Sequence, residues 1–152
     1  VDQFTLQSTK FPNVFALGDC TTTPNSKTAA AVTKQAPILV HNLQQVMEGK
    51  PANAKYNGYA SCPLIIGKNH VILAEFGYGG KIMETFNPET GKFPYTLIGQ
   101  EGVAQERFFY WMKKDMFPYV YWNLWTKGKW FGNSGPFKPN VLEAGEVDAK
   151  KK

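Results

Sequence analysis

Apolar positions come first in short runs, then in one long helical period, then in short runs again, and last as an aromatic stripe. Gln3 to Leu6 reads as a short strand and Lys10-Phe11-Pro12-Asn13 as a turn. Val14-Phe15-Ala16-Leu17 is an apolar run ending on Gly18, the pattern of a buried strand in an α/β sheet. A polar loop, Thr21 to Asn25, follows it. Ser26 or Thr28 can then cap a helix through "KTAAAVTKQAPILVHNLQQVME", which stops at Gly49-Lys50-Pro51. Pro37 lies inside that run and lacks a backbone donor, so the pattern predicts a kink there or two abutting helices.

From Asn57 to Phe86 the texture changes to β. The stretches "YASCPLIIG", "HVILAEFGY" and "KIMETF" are separated by Gly and Asn and read as an antiparallel meander. "NPETGKFPYTLIGQEG" is a long polar connection. From Gln105 the stretch "QERFFYWMKKDMFPYVYWNLWTKGKWFG" predicts two short amphipathic helices broken near Pro118. Beyond Gly132 the chain is rich in Gly, Pro and charge and is expected to be mobile. The expected organisation is 1–50, the end of an α/β domain; 51–104, a small β meander; 105–132, amphipathic aromatic helices; and 133–152, a mobile tail. The fold class is α+β with partial α/β character.

Composition narrows this picture only partly. The 152 residues suffice for one domain with a real core. A net charge of +5 and an aromatic content of 14% suit an anionic membrane surface, a nucleic acid or an acidic cofactor. The two cysteines, Cys20 and Cys62, make neither a disulfide scaffold nor a zinc motif. His41 and His70 lack metal spacing, and no metal site is expected. No apolar run reaches the ~20 residues of a membrane span. The chain opens on Val1 and reads as the middle of something longer.

The first candidate site is "NVFALGDCTTTPNSKTAAAV". A carboxylate at the tip of a buried strand, Asp19 after Gly18, stands where open α/β sheets bind ligands and can accept from sugar hydroxyls. The helix start after it carries unpaired N–H groups and about half a positive charge. Ala29-Ala30-Ala31 would let a flat anionic ligand approach. The plainer reading is an N-capped helix preceded by a turn Asp. This motif resembles the second flavin-binding motif of the two-dinucleotide-binding-domain flavoproteins. The resemblance implies FAD as cofactor and residues 1–50 as the C-terminal part of an FAD-binding Rossmann-like domain, with Asp19 on the ribityl chain and the helix start at Thr28, Ala29 and Ala30 facing the pyrimidine edge. Lys27 is either a cation beside the flavin or a solvated first-turn lysine.

Cys62 stands before Pro63 at a strand start, a position that marks a sheet edge. A free cysteine in an apolar segment is ordinarily a small buried hydrophobe. "KYNGYASCPLIIGKNHVILAEFGY", however, closely resembles the eukaryotic, mitochondrial-type sulfide:quinone oxidoreductases, and the resemblance runs through most of the chain. It implies that Cys62 is one of two redox cysteines and that Cys20 is structural. It also implies the reaction: hydrogen sulfide is oxidised to a cysteine persulfide, FAD passes the electrons to ubiquinone, and a nucleophile accepts the sulfur. The second cysteine and the Gly-rich fingerprint would come from an N-terminal half, and no Gly-x-Gly-x-x-Gly occurs here. This chain alone is expected to be inactive.

The aromatic stripe, with Lys113, Lys114, Lys127 and Lys129 interleaved, suits the interface of a membrane. Two short core helices and a base-stacking surface are the competing readings; the flavin motif argues against nucleic acid. The resemblance implies a peripheral, monotopic enzyme of the mitochondrial inner membrane. Phe76, Tyr78, Phe117 and Tyr119 are positional candidates for the quinone ring. A fragment of a type II NADH:quinone dehydrogenase and a non-catalytic membrane-binding module are the alternatives.

Overall fold

A computed structural model describes residues 1–86, 103–131 and 134–141, with backbone alone at 103–106. The expected connection after Phe86 and the last part of the tail lie outside the described residues.

Helix α1 runs Ala29–Met47, and the Thr28 side chain caps it by accepting from the Ala31 N–H at 3.2 Å. Of the two candidate caps, Thr28 is the one used. The helix ends before Gly49, as its sequence predicts, but it runs unbroken through Pro37. Its buried face, Ala31, Gln35, Ile38 and Asn42, recurs at helical spacing. Asn42 is fully buried and fully bonded. Its amide donates to the Thr5 and Ala54 carbonyls, each at 2.9 Å, and its oxygen accepts from the Asn53 and Ala54 N–H groups. One side chain thus ties the N-terminal loop and the segment after α1 to the helix. Leu6, Ile38, Ala54, Tyr56 and Tyr59 fill the core between them.

Strands β1 (Ala60–Gly67) and β2 (His70–Phe76) form an antiparallel hairpin with Ser61 opposite Glu75 and Cys62 opposite Ala74. Pro63 is tolerated because each strand of a two-stranded sheet is an edge. Helix α2 (Val103–Trp111), a π-turn (Met112–Met116) and helix α3 (Phe117–Asn123) follow as one helical path. A second core, Val71, Phe109 and Met112 with Phe86 and Phe108 against it, fastens this path to β2.

Three further expectations change. Gln3 to Leu6 is a turn rather than a strand, organised by Asp2, whose carboxylate accepts from the Phe4 and Thr5 N–H groups. Val14 to Leu17 is not a buried strand: only Phe15 pairs, in a single bridge to Gln7, and Val14 is exposed. The third run of the meander contributes one bridge, Phe76 to Ile82, because Gly79 and Gly80 turn the chain with positive φ and the pairing ends at once. The expected break near Pro118 is a π-turn just before it, with Pro118 in the first turn of α3, where its missing N–H costs nothing.

Candidate functional site

A cavity of about 1050 Å³ lies between the start of α1, the base of the hairpin and the α2–α3 path. Lys27, Thr28, Ala29 and Ala30 form one wall; Ser61, Cys62 and Pro63 of β1 form the next. Met112, Lys113, Phe117 and Tyr121 close the third side. The sequence thus separates by some thirty residues two features that the fold brings to one space: the open end of a helix and a free thiol. Both cysteines are free, and Cys62 is exposed. Ser61 is buried and Cys62, the next residue of β1, is exposed, and both line the cavity.

The remaining candidates divide. Gly18 is buried away from the cavity; its φ is +74° and its N–H donates to Gln35 Oε1 at 2.8 Å. Asp19 and Cys20 are exposed and outside the cavity lining, and the Cys20 thiol donates to the Leu17 carbonyl. The Lys27 ammonium folds back onto its own loop, donating to the Thr23 carbonyl at 2.7 Å and to the Thr23 and Thr21 hydroxyls. Of the quinone candidates, Phe117 lines the cavity. Tyr78 packs edge-on against Phe4 and Tyr56, and its hydroxyl donates to the Gln3 carbonyl. Phe76 and Tyr119 point to solvent, Tyr119 at 64% exposure.

Two cavity residues escaped the sequence reading. Glu75 is 4% exposed. Its carboxylate accepts from the Tyr59 hydroxyl at 2.5 Å, the Thr85 N–H at 2.7 Å and the Thr85 hydroxyl. Burial, and then the neighbouring Glu75 charge, push the Tyr59 phenol far above its ordinary range, so it stays protonated and donates. The signal was a lone carboxylate in the apolar run "HVILAEF". Lys113 is the other: it crosses from the π-turn and donates to the Pro63 carbonyl at 2.6 Å. It is one of several lysines in its stripe, and nothing in the pattern singles it out.

No protein-family model matches the chain. Against individual proteins it is 51% identical over 141 residues to the mitochondrial sulfide:quinone oxidoreductase of Schizosaccharomyces pombe. It is 46% identical over 132 residues to that of Mus musculus and 45% over 139 to that of Dictyostelium discoideum. The chain matches one segment of the sulfide:quinone oxidoreductases. These matches cover 92%, 87% and 91% of this chain. They cover only 29%, 27% and 28% of the relatives, so the chain spans less than a third of a sulfide:quinone oxidoreductase. By their names the relatives are mitochondrial enzymes. In structure it is similar to a chain of the Tetrahymena thermophila mitochondrial ATP synthase, with TM-score 0.63 and 26% identity over 79% of this chain and 27% of that one.

The start of α1 fits the electron-rich edge of a flavin by its donor chemistry. First-turn N–H groups have no carbonyl one turn earlier to bind. Ala29 and Ala30, whose side chains are single methyl groups, leave that turn open to the cavity. Asp19, by contrast, stands outside this space.

Proposed function

We propose that this chain supplies the thiol wall and the quinone-facing wall of an enzyme that oxidises sulfide and reduces ubiquinone, with FAD between them. The observation that carries this reading is that Cys62 and the open turn of α1 line one cavity. Relatives named for sulfide and quinone support the substrates. The dehydrogenase and non-catalytic-module alternatives gain no support from them.

Ala29 and Ala30 would hold the flavin's pyrimidine edge, Thr28 would brace that turn, Gly18 would shape the turn that carries Asp19, and Asp19 would meet the cofactor's length outside the cavity. Bound FAD supplies a two-electron acceptor and donor. Cys62 acts with a second cysteine from the remainder of the enzyme. Hydrosulfide attacks one sulfur of the disulfide they share. A sulfur–sulfur bond forms to the incoming atom, the original one breaks, and the other cysteine leaves as thiolate with the electron pair. A nucleophile then removes the outer persulfide sulfur. Phe117 and Tyr121 offer flat apolar contacts for the quinone ring.

The quinone is a lipid, and the outer face of the helical path suits a lipid surface. Trp111, Tyr119 and Trp122 are exposed, with lysines interleaved. Among the described residues no helix is long and apolar enough to cross a membrane. The reading is a protein lying on the mitochondrial inner membrane.

Cys62→Ser in the full-length enzyme tests the reading. Sulfide-dependent reduction of a soluble quinone should fall more than about 100-fold, as for loss of a nucleophile. Undiminished turnover would overturn it.

A further inference from the structure

Among the described residues, three charged side chains stand in the cavity wall: Lys27, Glu75 and Lys113. Two are already engaged. The Lys27 ammonium is bonded to Thr21 and Thr23 of its own loop. The Glu75 carboxylate is held by Tyr59 and Thr85. Lys113 is placed differently. Its backbone lies in the π-turn, a wide turn that is frequent at functional sites. Its half-buried side chain reaches β1, where Nζ donates to the carbonyl of Pro63, the residue next to Cys62. An ammonium carries three N–H donors, and this carbonyl takes one. The lining it shares includes the apolar Pro63, Met112 and Phe117, which screen its field less than water alone would.

We propose that Lys113 holds the anionic sulfur substrate, hydrosulfide, against Cys62 by its charge. The proposal rests on the reading of the cavity given above. No bond is made or broken at Lys113; it concentrates the anion beside the reacting sulfur and is a positioning residue. The bond to Pro63 fixes where the charge stands, one residue along the strand from the thiol.

The test uses the full-length enzyme with Lys113→Met, Lys113→Gln and Lys113→Arg, each checked for flavin content and thermal unfolding. Gln can still donate to the Pro63 carbonyl but carries no charge, so it separates charge from tether. The expected result is a KM for sulfide raised about tenfold in both neutral variants, the size of one charge-assisted contact. The KM for quinone should stay unchanged, and Arg should restore most of the sulfide affinity. The proposal is overturned if the neutral variants keep the wild-type sulfide KM, if Gln behaves like wild type, or if the quinone KM rises equally. A wild-type enzyme that does not turn over sulfide would sink the functional reading and this proposal with it. A wild type that does, beside neutral variants with unchanged sulfide KM, sinks this proposal alone.

Discussion

At the scale of single residues, the fold depends on a few buried polar groups and on close backbone approach at Gly58. Gly58 has φ +82°, and a Cβ there would stand 2.5 Å from the Tyr78 ring and backbone. Gly58→Ala should therefore destabilise the protein by about 2 kcal/mol or more, through left-handed strain and overpacking together; a denaturation curve measures it. Tyr59→Phe removes a donor from the buried Glu75 carboxylate and should cost about 1–3 kcal/mol. Burial raises the phenols of Tyr56, Tyr59 and Tyr78, with the Tyr78, Glu75 and Asp2 charges respectively adding to it. A folded pKa above the unfolded one gives stability that is complete below the ordinary phenol pKa of about 10. It is lost as pH rises beyond that value. Unfolding midpoints should hold steady with respect to these groups up to that pH and fall above it. Cys62 was legible in its sequence setting, and so was the helix start. Asn42 was not, because a polar residue on a helix reads as solvent-facing until the backbone groups it bonds, 37 residues away at Thr5, are in place.

Local pattern specified the elements well wherever an element makes its own hydrogen bonds. Helix α1 begins at its Thr cap and stops before Gly49 because both signals are local. Thr28→Ala should cost about 1 kcal/mol in thermal or chemical unfolding. Strands are less legible, because they exist only with a partner. The apolar run Val14 to Leu17 has the composition of a strand, but among the described residues it finds a single bridge. A π-turn is also hard to read in advance. It is one residue too many for an α-helix, and Met112 to Met116 are ordinary helix formers. Deleting Lys114 should restore α-helical register and turn α3 by about 100° relative to α2. Phe117 would then leave the cavity wall. The expected outcome is a raised KM for quinone in the full-length enzyme, with α-helix content by circular dichroism unchanged.

For the whole molecule, two features each carry a cluster of large exposed apolar groups. Leu64, Ile65, Ile66 and Ile72 crowd the hairpin, and Trp111, Tyr119 and Trp122 stand on the helical path. Replacing Trp111, Tyr119 and Trp122 with Ser should weaken flotation of the full-length enzyme on anionic liposomes; unchanged flotation would remove the helices from the membrane contact. The cavity itself was only half legible. Each wall carries a sequence signal, but their meeting depends on packing between segments that lie far apart in the chain. Everything functional here depends on that meeting, and anaerobic titration of the full-length enzyme with sulfide tests it most directly, by following the flavin absorbance of wild type and Cys62→Ser. Wild-type flavin should bleach on adding sulfide, whereas the variant's should stay oxidised with sulfide and still bleach with dithionite. Equal bleaching of both proteins by sulfide would contradict the account.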